Sequence, residues 1–574
     1  MEKVWLTESG DAALAEGLAS QTGLPLAACR ILAARGLAEP EAVDAWLQPR
    51  LSRLTDPFRL PNMAAATERL AAAVRQNETV LVYGDYDVDG VTSTALMIRV
   101  LRALGVTAIP FLPHRVDDGY GLAVEPVERC VQDHQPDCLV TVDCGTGSVE
   151  AVQRAQELGV DVIVTDHHEP GDKVAPACAV VNPKLGDADD PLRHLAGVGV
   201  AFKLCHAVLK LLRDEGHALA EQLDLRAHLD LVAVGTIADM VPLVAENRVL
   251  ARYGLIELNR TRKPGLIALR EVAGISGPMD AYHIGFLLGP RLNAAGRLGT
   301  AQQALELMLI EDEGHPFAIA QELDAANKER QKIELAMIEQ ATAAIDAQFD
   351  PRQHYALVVG SREWHPGVIG IVASRLVNRY ARPAVVIAID EDGVGRGSCR
   401  SVGPFHMVEG LGDCADLLER FGGHAMAAGL QLAEGQIEAF RDRLNAAVRE
   451  RVSLEELRPR QRIDAWISLR EADWTLVECL EKMAPFGLGN TKPIWGVRGA
   501  QVLGEPRVVG QKHLKLDILH DNTSLGAIAF NMAGEAIPDG PLDIAFQLDR
   551  NRFGGRETVQ LKVQAIRAST AGAD

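Results

Sequence analysis

The alternation of apolar and polar positions changes character along the chain. Residues 1 to about 55 carry Ala and Leu at helical spacing and end near Pro57, which predicts an N-terminal helical segment that packs or caps. From about Thr79 the pattern becomes short β-rich runs: "TVLVYG", "TAIPFL", "CLVTV", "DVIVT" and "CAVVN". Between them lie "TSTALMIRVLRALG" and "SVEAVQRAQELG", which have helical spacing and close on a glycine, a good C-terminal signal. Strand–helix alternation of this kind predicts an α/β fold with a parallel sheet covered by helices.

Residues 316–349 run with no internal Pro or Gly and are rich in Ala, Glu, Gln and Lys. That length exceeds a typical globular helix and predicts a long connection between two domains. A second α/β unit starts at "HYALVVG" (His354) and includes "RPAVVIAID". From about Ile463 come strand-like pieces, among them "RIDAWISL", "LKLDIL", "SLGAIAF", "PLDIAFQL" and "ETVQLKVQAI". Short strands at this spacing suggest a small β-barrel. The expected divisions are therefore 1–55 (helical segment), 56–300 (first α/β domain), 301–350 (connecting helix), 351–455 (second α/β domain) and 460–570 (barrel). A chain of 574 residues is too long for one core, since single cores stop growing near ~250–300 residues.

Composition narrows the class. Hydrophobic residues make up 47% and charged residues 24%, as in soluble globular proteins. The start "MEKVWLTESG" has no apolar signal region, and no uncharged apolar run approaches the ~20 residues of a membrane span. Nine cysteines are scattered without a C-x-x-C pair, which argues against a disulfide framework or thiolate zinc site. The expectation is a cytoplasmic protein without membrane attachment. The net charge of −20 argues against non-specific nucleic-acid binding, but not against a local basic groove.

The chemistry concentrates where apolar runs end. "VLVYGDYDVDG" delivers Asp85, Asp87 and Asp89; "CLVTV" ends at Asp143; "VIVT" ends at Asp166. In an open α/β sheet, ligands bind beyond the carboxyl ends of the strands, so three parallel strands would deliver these acids to one rim. "TDHHEP" adds His167 and His168, and "VAVGTIADMVPL" adds Asp239 after another apolar stretch. Carboxylates with imidazoles and no thiolate match Mn²⁺ or Mg²⁺ better than zinc. Two ions bridged by an acid are the usual arrangement for phosphodiester hydrolysis. His168 is placed to orient its neighbour or to contact the scissile phosphate. An EF-hand reading fails: the twelfth residue from Asp85 is Leu96, not Glu, and the preceding run reads as a strand. A solvated Asp-rich turn would explain one cluster, but not four acid sites in this order.

"DYDVDG", "TVDCGT", "TDHHEP" and "IADMVPL" resemble the four motifs of the DHH phosphoesterases, and more specifically of the RecJ single-strand-specific exonucleases. "GPRLNAAGRLG" resembles the arginine-bearing segment of that subgroup. "WHPGVIGIVASR", "GSCRS" and "FGGHAMAAG" resemble the DHH-associated C-terminal domain, and "APFGLGN" the segment beside the family's OB-fold. The resemblance implies a DHH domain, a DHH-associated domain and a C-terminal OB-fold barrel. It implies a 5′-to-3′ exonuclease on single-stranded DNA that releases 5′-mononucleotides with two Mn²⁺ or Mg²⁺ ions, in recombination and repair. A helicase and a single-strand-binding protein are implied partners, and a monomer is expected. The implied metal ligands are Asp85, Asp87, Asp143, His167 and Asp239, with Asp89 and His168 as second choices. Tyr83 stands where many relatives of the wider superfamily have a histidine before the first acid cluster, so either Asp85 or Asp89 completes the first metal site.

By the same resemblance Arg115, in the loop "PHRVDDGYG", binds the 5′ phosphate, which suits the bidentate guanidinium. Arg291 and Arg297 flank "LNAAG", and Arg297 is the favoured phosphate contact over Arg291, the alternative being an interdomain salt bridge. Backbone N–H groups of "GSCRS", with Ser398 and Arg400, are expected at a phosphate. His424 follows two glycines and reads as a substrate contact or a core histidine; His365 reads as a contact or a helix-start residue. Lys512, His513, Lys515, Arg550, Arg552 and Phe553 are barrel candidates for single-strand binding. The alternatives are a DHH phosphodiesterase on short oligonucleotides or cyclic dinucleotides, which leaves the barrel unexplained, and a metal-dead replication scaffold, which should have lost ligand acids. A pyrophosphatase of the superfamily is disfavoured by size.

Overall fold

A computed structural model describes residues 3–7, 10–113, 121–311, 315–553 and 555–569. The first strand, β1 (Val4–Thr7), is followed by helices Ala12–Thr22, Leu26–Ala34 and Pro40–Leu47. Five strands then form one all-parallel sheet: β2 (Thr79–Gly84), β3 (Thr107–Phe111), β4 (Cys138–Val142), β5 (Asp161–Thr165) and β6 (Ala179–Val181). Their spatial order is β3-β2-β4-β5-β6, so strand order reverses between β2 and β4. β2 and β4 are buried on both faces along nearly their whole length, which is why they read as continuous apolar runs. Helices cover both faces and make two apolar cores, one around Met97 and Leu204, the other around Leu139 and Val152.

The helix Pro316–Asp346 starts in one core and ends in another. Ile319, Ala320 and Leu323 pack with the parallel sheet's helices, whereas Met337, Ala341 and Ile345 pack with a second sheet. At 31 residues it spans ~46 Å. A separate helix, Gln302–Leu309, precedes it. The second sheet contains β7 (Leu357–Ser361), β8 (Ala384–Ile389), β9 (Val394–Arg400), β10 (Arg420–Gly423) and β11 (Ala427–Ala433) in the order β10-β11-β9-β8-β7. Only β7–β8 is parallel.

At the C-terminal end, "RIDAWISL" splits into β12 (Arg460–Ile463) and β13 (Ala465–Trp466), separated by Asp464, whose carboxylate accepts the Ile494 N–H at 2.7 Å. β14 (Trp495–Val509), β15 (His513–His520), β16 (Thr523–Ala529), β17 (Leu542–Phe553) and β18 (Arg556–Ala568) follow. Pairings β14–β15–β16–β18–β17 return to β14 and close a five-stranded barrel. The N-terminal segment differs from an all-helical reading. β1 pairs in parallel with β12, and the three helices share one apolar core with the barrel, not with the parallel sheet. The apolar positions of "VWLT" find an edge strand from the other end of the chain.

Among the described residues no helix is long and apolar enough to cross a membrane.

Candidate active site

β2, β4 and β5 end in register. Gly84 is opposite Val142, and Val142 is opposite Thr165. The next residues, Asp85, Asp143 and Asp166, therefore leave the sheet side by side at the strand-order reversal. Asp87 caps the helix Val88–Ala103, its Oδ1 accepting the N–H of Asp89 at 2.9 Å and of Gly90 at 3.0 Å. A Cβ on Gly90 would lie 2.3 Å from the Asp85 carbonyl oxygen, so the acid turn closes only over a glycine. Asn293, from the helix Gly289–Leu298, accepts the Val88 N–H at 3.2 Å and clamps the same turn.

His167 is the hub. Its Nε2 lies 3.1 Å from Asp143 Oδ1, 3.6 Å from Asp239 Oδ2 and 3.8 Å from Asp89 Oδ2. Three overlapping triplets place their ligand atoms within 4.8 Å of one another: Asp85–Asp87–Asp143, Asp89–His167–Asp239 and Asp143–His167–His168. Asp239 arrives from outside the sheet, as the C-cap of the helix Leu229–Ala238. Asp143 takes a left-handed backbone, φ 63°, which turns its carboxylate back over the strand ends.

Two acids of the sequence motifs have partners that set them apart. Both oxygens of buried Asp89 accept backbone N–H groups at the start of the helix Gly197–Asp214, from Gly197 at 2.6 Å and Val198 at 2.9 Å. Asp166 Oδ1 accepts the N–H of His167 at 2.7 Å, the N–H of His168 at 3.1 Å and the His168 ring Nδ1–H at 2.8 Å; its Oδ2 accepts the Thr146 N–H at 2.9 Å. Asp166 thus holds the histidine pair and belongs to none of the three triplets.

The electrostatics follow from burial and crowding. Burial, then Asp89, Asp87, Asp239 and Asp85, push the Asp143 carboxyl well above the usual range. Burial, then Asp239 and Asp87, do the same to Asp89. Burial and Asp87 push Asp239 up to about 7. Burial and the neighbouring His168 charge press His167 down to about 3, which keeps it a neutral imidazole. At Asp166 burial acts upward, but the His168 ring bond and charge outweigh it and hold the carboxyl well below the usual range. Burial acts downward on His168 and is outweighed by the Asp166 bond, so its pKa rises.

This donor set fits divalent cations. Asp143 Oδ1 and His167 Nε2 are buried without a hydrogen-bond partner among the described residues. Buried carboxylates with raised pKa values crowd a neutral imidazole, and positive charge is what relieves that arrangement.

The nucleic-acid candidates divide. Arg297 donates from Nη1 to the Gly367 carbonyl at 3.1 Å, bridging to the segment that opens the second sheet's helix Ile369–Tyr380. His365 Nδ1 accepts the Gly367 N–H at 3.1 Å. Arg291 is committed to Asp324 of the long helix at 2.9 Å, the salt bridge its sequence allowed. Ser398 and Arg400 lie on β9, and Arg400 Nη1 donates to Ser398 Oγ at 3.1 Å and to the Cys399 carbonyl at 2.8 Å. The "GSCRS" backbone is not the expected N–H cradle. β9 is paired on both sides through Arg400, so its main-chain donors serve the sheet and only side chains remain for a ligand. His424 is exposed at the β10–β11 turn, where its N–H donates to the Ala427 carbonyl at 2.7 Å; it is not a core histidine.

In the barrel Arg550 is held by Glu481 at 2.8 Å and Glu557 at 2.6 Å, and Arg552 by Glu557 at 2.8 Å. His513 packs edge-on against Phe530, 5.0 Å between centroids, while Lys512 and Lys515 are exposed. Arg115 and the Phe553 side chain lie outside the described residues. Sequence reasoning missed Asn293 and Gly197. The first lay inside a segment read only for its arginines, and the second carries no chemical signal of its own.

Known proteins match along the chain. The model of the DHH family N-terminal domain matches residues 79–236, that of the DHHA1 domain residues 353–450, and that of the RecJ OB domain residues 463–565. The single-stranded-DNA-specific exonuclease RecJ of Bacillus subtilis is 37% identical over 568 residues, covering 98% of this chain and 70% of its own. The Escherichia coli enzyme of the same name is 37% identical over 561 residues, covering 95% and 96%. The crystal structure of Thermus thermophilus RecJ with Mn²⁺ superposes with a TM-score of 0.83 at 31% identity, covering 98% of this chain and 79% of that one. Its Mg²⁺ complex gives a TM-score of 0.75 at 30% identity, covering 98% and 78%. Catalytic-motif order, both sheets, the barrel and near-full-length identity converge, and this chain belongs to the RecJ family of single-stranded-DNA-specific exonucleases.

Proposed function

We propose that the protein hydrolyses single-stranded DNA from the 5′ end and releases 5′-mononucleotides. The observation that carries this reading is the gathering of Asp85, Asp87, Asp143, His167 and Asp239 at one sheet rim, with two orphaned donor atoms between them. Relatives of this chain are named for single-stranded DNA and one is solved with Mn²⁺ and with Mg²⁺.

Asp85, Asp87 and Asp143 would hold one divalent ion, and His167 and Asp239 a second, with Asp143 close to both groups. Such a pair supplies an acidified water and neutralises charge developing on the phosphoryl oxygens. The chain's own groups set that stage. Asp89 anchors a helix N-terminus beside the cluster and contributes its Oδ2 as an outer ligand at most, because both oxygens already accept main-chain bonds. Asp166 fixes the His168 ring, placing it as a positioning group for the scissile phosphate. Ser398, Arg400 and His424 would line the approach from the second sheet and Arg297 from the helix Gly289–Leu298 facing it, and Arg115 would take the terminal phosphate. Selectivity for single strands would come from a cleft between the two α/β units that admits one strand and excludes the ~20 Å duplex, whose bases are stacked away from any aromatic platform.

In this reading residues 56–300 catalyse, 301–350 connect, 351–455 grip the strand, 460–570 form the single-strand platform and 1–55 brace it. The protein would act as a monomer in the cytoplasm, behind a helicase and alongside a single-strand-binding protein. The test is digestion of end-labelled single- and double-stranded DNA of both polarities with and without Mn²⁺. The reading requires mononucleotides from 5′-labelled single strands only when the metal is present. Equal attack on duplex, or release from the 3′ end, contradicts it.

A further inference from the structure

A second row of cations lies on the sheet face that carries Ser398 and Arg400. Along β9, Gly395, Gly397 and Cys399 are buried toward Leu430 and Leu432, so Arg396, Ser398 and Arg400 share the opposite face. The register continues this face across three strands. Ser398 is opposite Gly429, which is opposite Gly422; Arg396 is opposite Gln431, which is opposite Arg420.

The Arg400 end of the row points to the catalytic domain. A Cβ on Gly370 would lie 3.0 Å from both Ser398 Oγ and Arg400 Nη2, and the nearby Gly367 carbonyl takes the Arg297 bond. Arg396 sits ~13 Å further along the strand from Arg400. Between them on β9 stands Ser398, and beside it on β11 and β10 the floor carries no side chain. A Cβ on Gly422 would meet nothing within 4 Å, and one on Gly429 would meet only the Gly397 carbonyl at 3.9 Å. The result is a groove of about 370 Å³ whose walls include Arg396, Arg420 and Gln431 and whose floor includes Gly422 and Gly429.

The two guanidiniums are held differently. Arg420 Nε donates to Gln431 Oε1 at 2.8 Å, and Gln431 is itself braced by Glu419 at 2.7 Å. The exposed Arg396 guanidinium makes no hydrogen bond or ion pair among the described residues. Two cations flanking Gln431 in one cross-strand row, beside a row whose β11 and β10 positions are glycine, in a chain of net charge −20, suit an extended polyanion lying against main chain.

We propose that this groove carries the sugar–phosphate backbone of a single strand beyond the part lodged in the active-site cleft, with Arg396 and Arg420 as phosphate contacts. The proposal rests on the nuclease reading and extends it to residues further along the strand path. It predicts a length dependence. The double variant Arg396→Ala/Arg420→Ala, in the full chain, is compared with the wild type by fluorescence anisotropy with oligo(dT) of increasing length in EDTA. Short oligomers should bind equally well to both proteins. Long ones should lose about tenfold in affinity, and the slope of log K against log salt should become shallower by about 1.4 for two lost phosphate contacts.

A second variant, Gly429→Leu, fills the floor while keeping both arginines and should reproduce the loss for long oligomers only. Unchanged affinity and slope at every length overturns the proposal. So does an equal loss at all lengths, which would put these residues in the cleft or in the fold. Digestion of a short oligomer with Mn²⁺ by the same variants separates the two claims. If the wild type cuts nothing the nuclease reading fails, whereas normal cutting with length-independent binding removes only the groove.

Discussion

His167 Nε2 and Asp143 Oδ1 stand 3.1 Å apart at the ends of adjacent parallel strands, and neither atom has a hydrogen-bond partner among the described residues. A buried polar pair left this way is costly without a cation between or beside its members. Asp143→Ala should therefore cut hydrolysis by more than ~100-fold, since even losing a partner of a metal ligand costs 10–100-fold. Asp143→Asn should do the same while raising the melting temperature in EDTA at pH 8, because it removes a crowded buried charge. Nuclease rates and thermal melts check both. Normal digestion by either variant with Mn²⁺ would remove Asp143 from the metal set.

Metal removal should expose a pH dependence of stability. Burial and Asp87 raise Asp239 to about 7, so the folded protein binds a proton there that the unfolded chain releases near pH 4. A carboxyl with a raised folded pKa makes stability fall as pH rises through that window. Melting temperatures in EDTA should thus decline from pH 4 toward pH 7, and saturating Mn²⁺ should flatten the decline. Parallel curves with and without the metal would count against a cation at Asp239.

Gly197 is required for the site although it has no side chain. A Cβ there would lie 2.5 Å from Asp143 Oδ1, and the Gly197 N–H is already bound to Asp89. Gly197→Ala should weaken Mn²⁺ binding by ~10–100-fold in a folded protein, as loss of a supporting shell does. Electron paramagnetic resonance titration of free Mn²⁺ reads this directly, and wild-type affinity would refute it.

Arg248 ties three parts of the chain. Almost fully buried, it donates to the carbonyls of Trp46 at 3.3 Å, Met483 at 2.7 Å and Lys482 at 3.2 Å, and its guanidinium lies 3.8 Å over the Trp46 ring. The loop before it is fastened to the same module, with the Leu243 N–H donating to the Leu488 carbonyl at 2.7 Å. Arg248→Ala should destabilise the protein by about 3 kcal/mol, because several buried carbonyls lose their donor. It should also split one calorimetric transition into two, as the barrel and N-terminal helices uncouple. A single transition at the wild-type temperature would show the tie to be dispensable.

Local pattern exposed much of this architecture because it reports what a residue needs from its immediate environment. "CLVTV" and "TVLVYG" lack a polar face, so only a two-sided parallel sheet can bury them, and the acid after each must then emerge at one rim. Residues 316–349 predicted a long helix, and the helix Pro316–Asp346 is there. The same pattern could not separate Asp85 and Asp87 from Asp89 and Asp166. All four are carboxylates after or near an apolar run, and only their partners distinguish them.

Most of the elements, their order and the kind of ion the site takes could be read from neighbouring residues, since periodicity and donor type are local properties; β1 and the break at Asp464 could not. Long-range packing decided that both oxygens of Asp89, and Oδ2 of Asp166, are spent on main-chain donors far along the chain, and that "GSCRS" has none to offer because β9 is paired on both sides. It also decided that β1 joins β12 from the other end of the chain. Each of these depends on which distant backbone arrives alongside, and hydrogen-bond capacity is allotted only when it does.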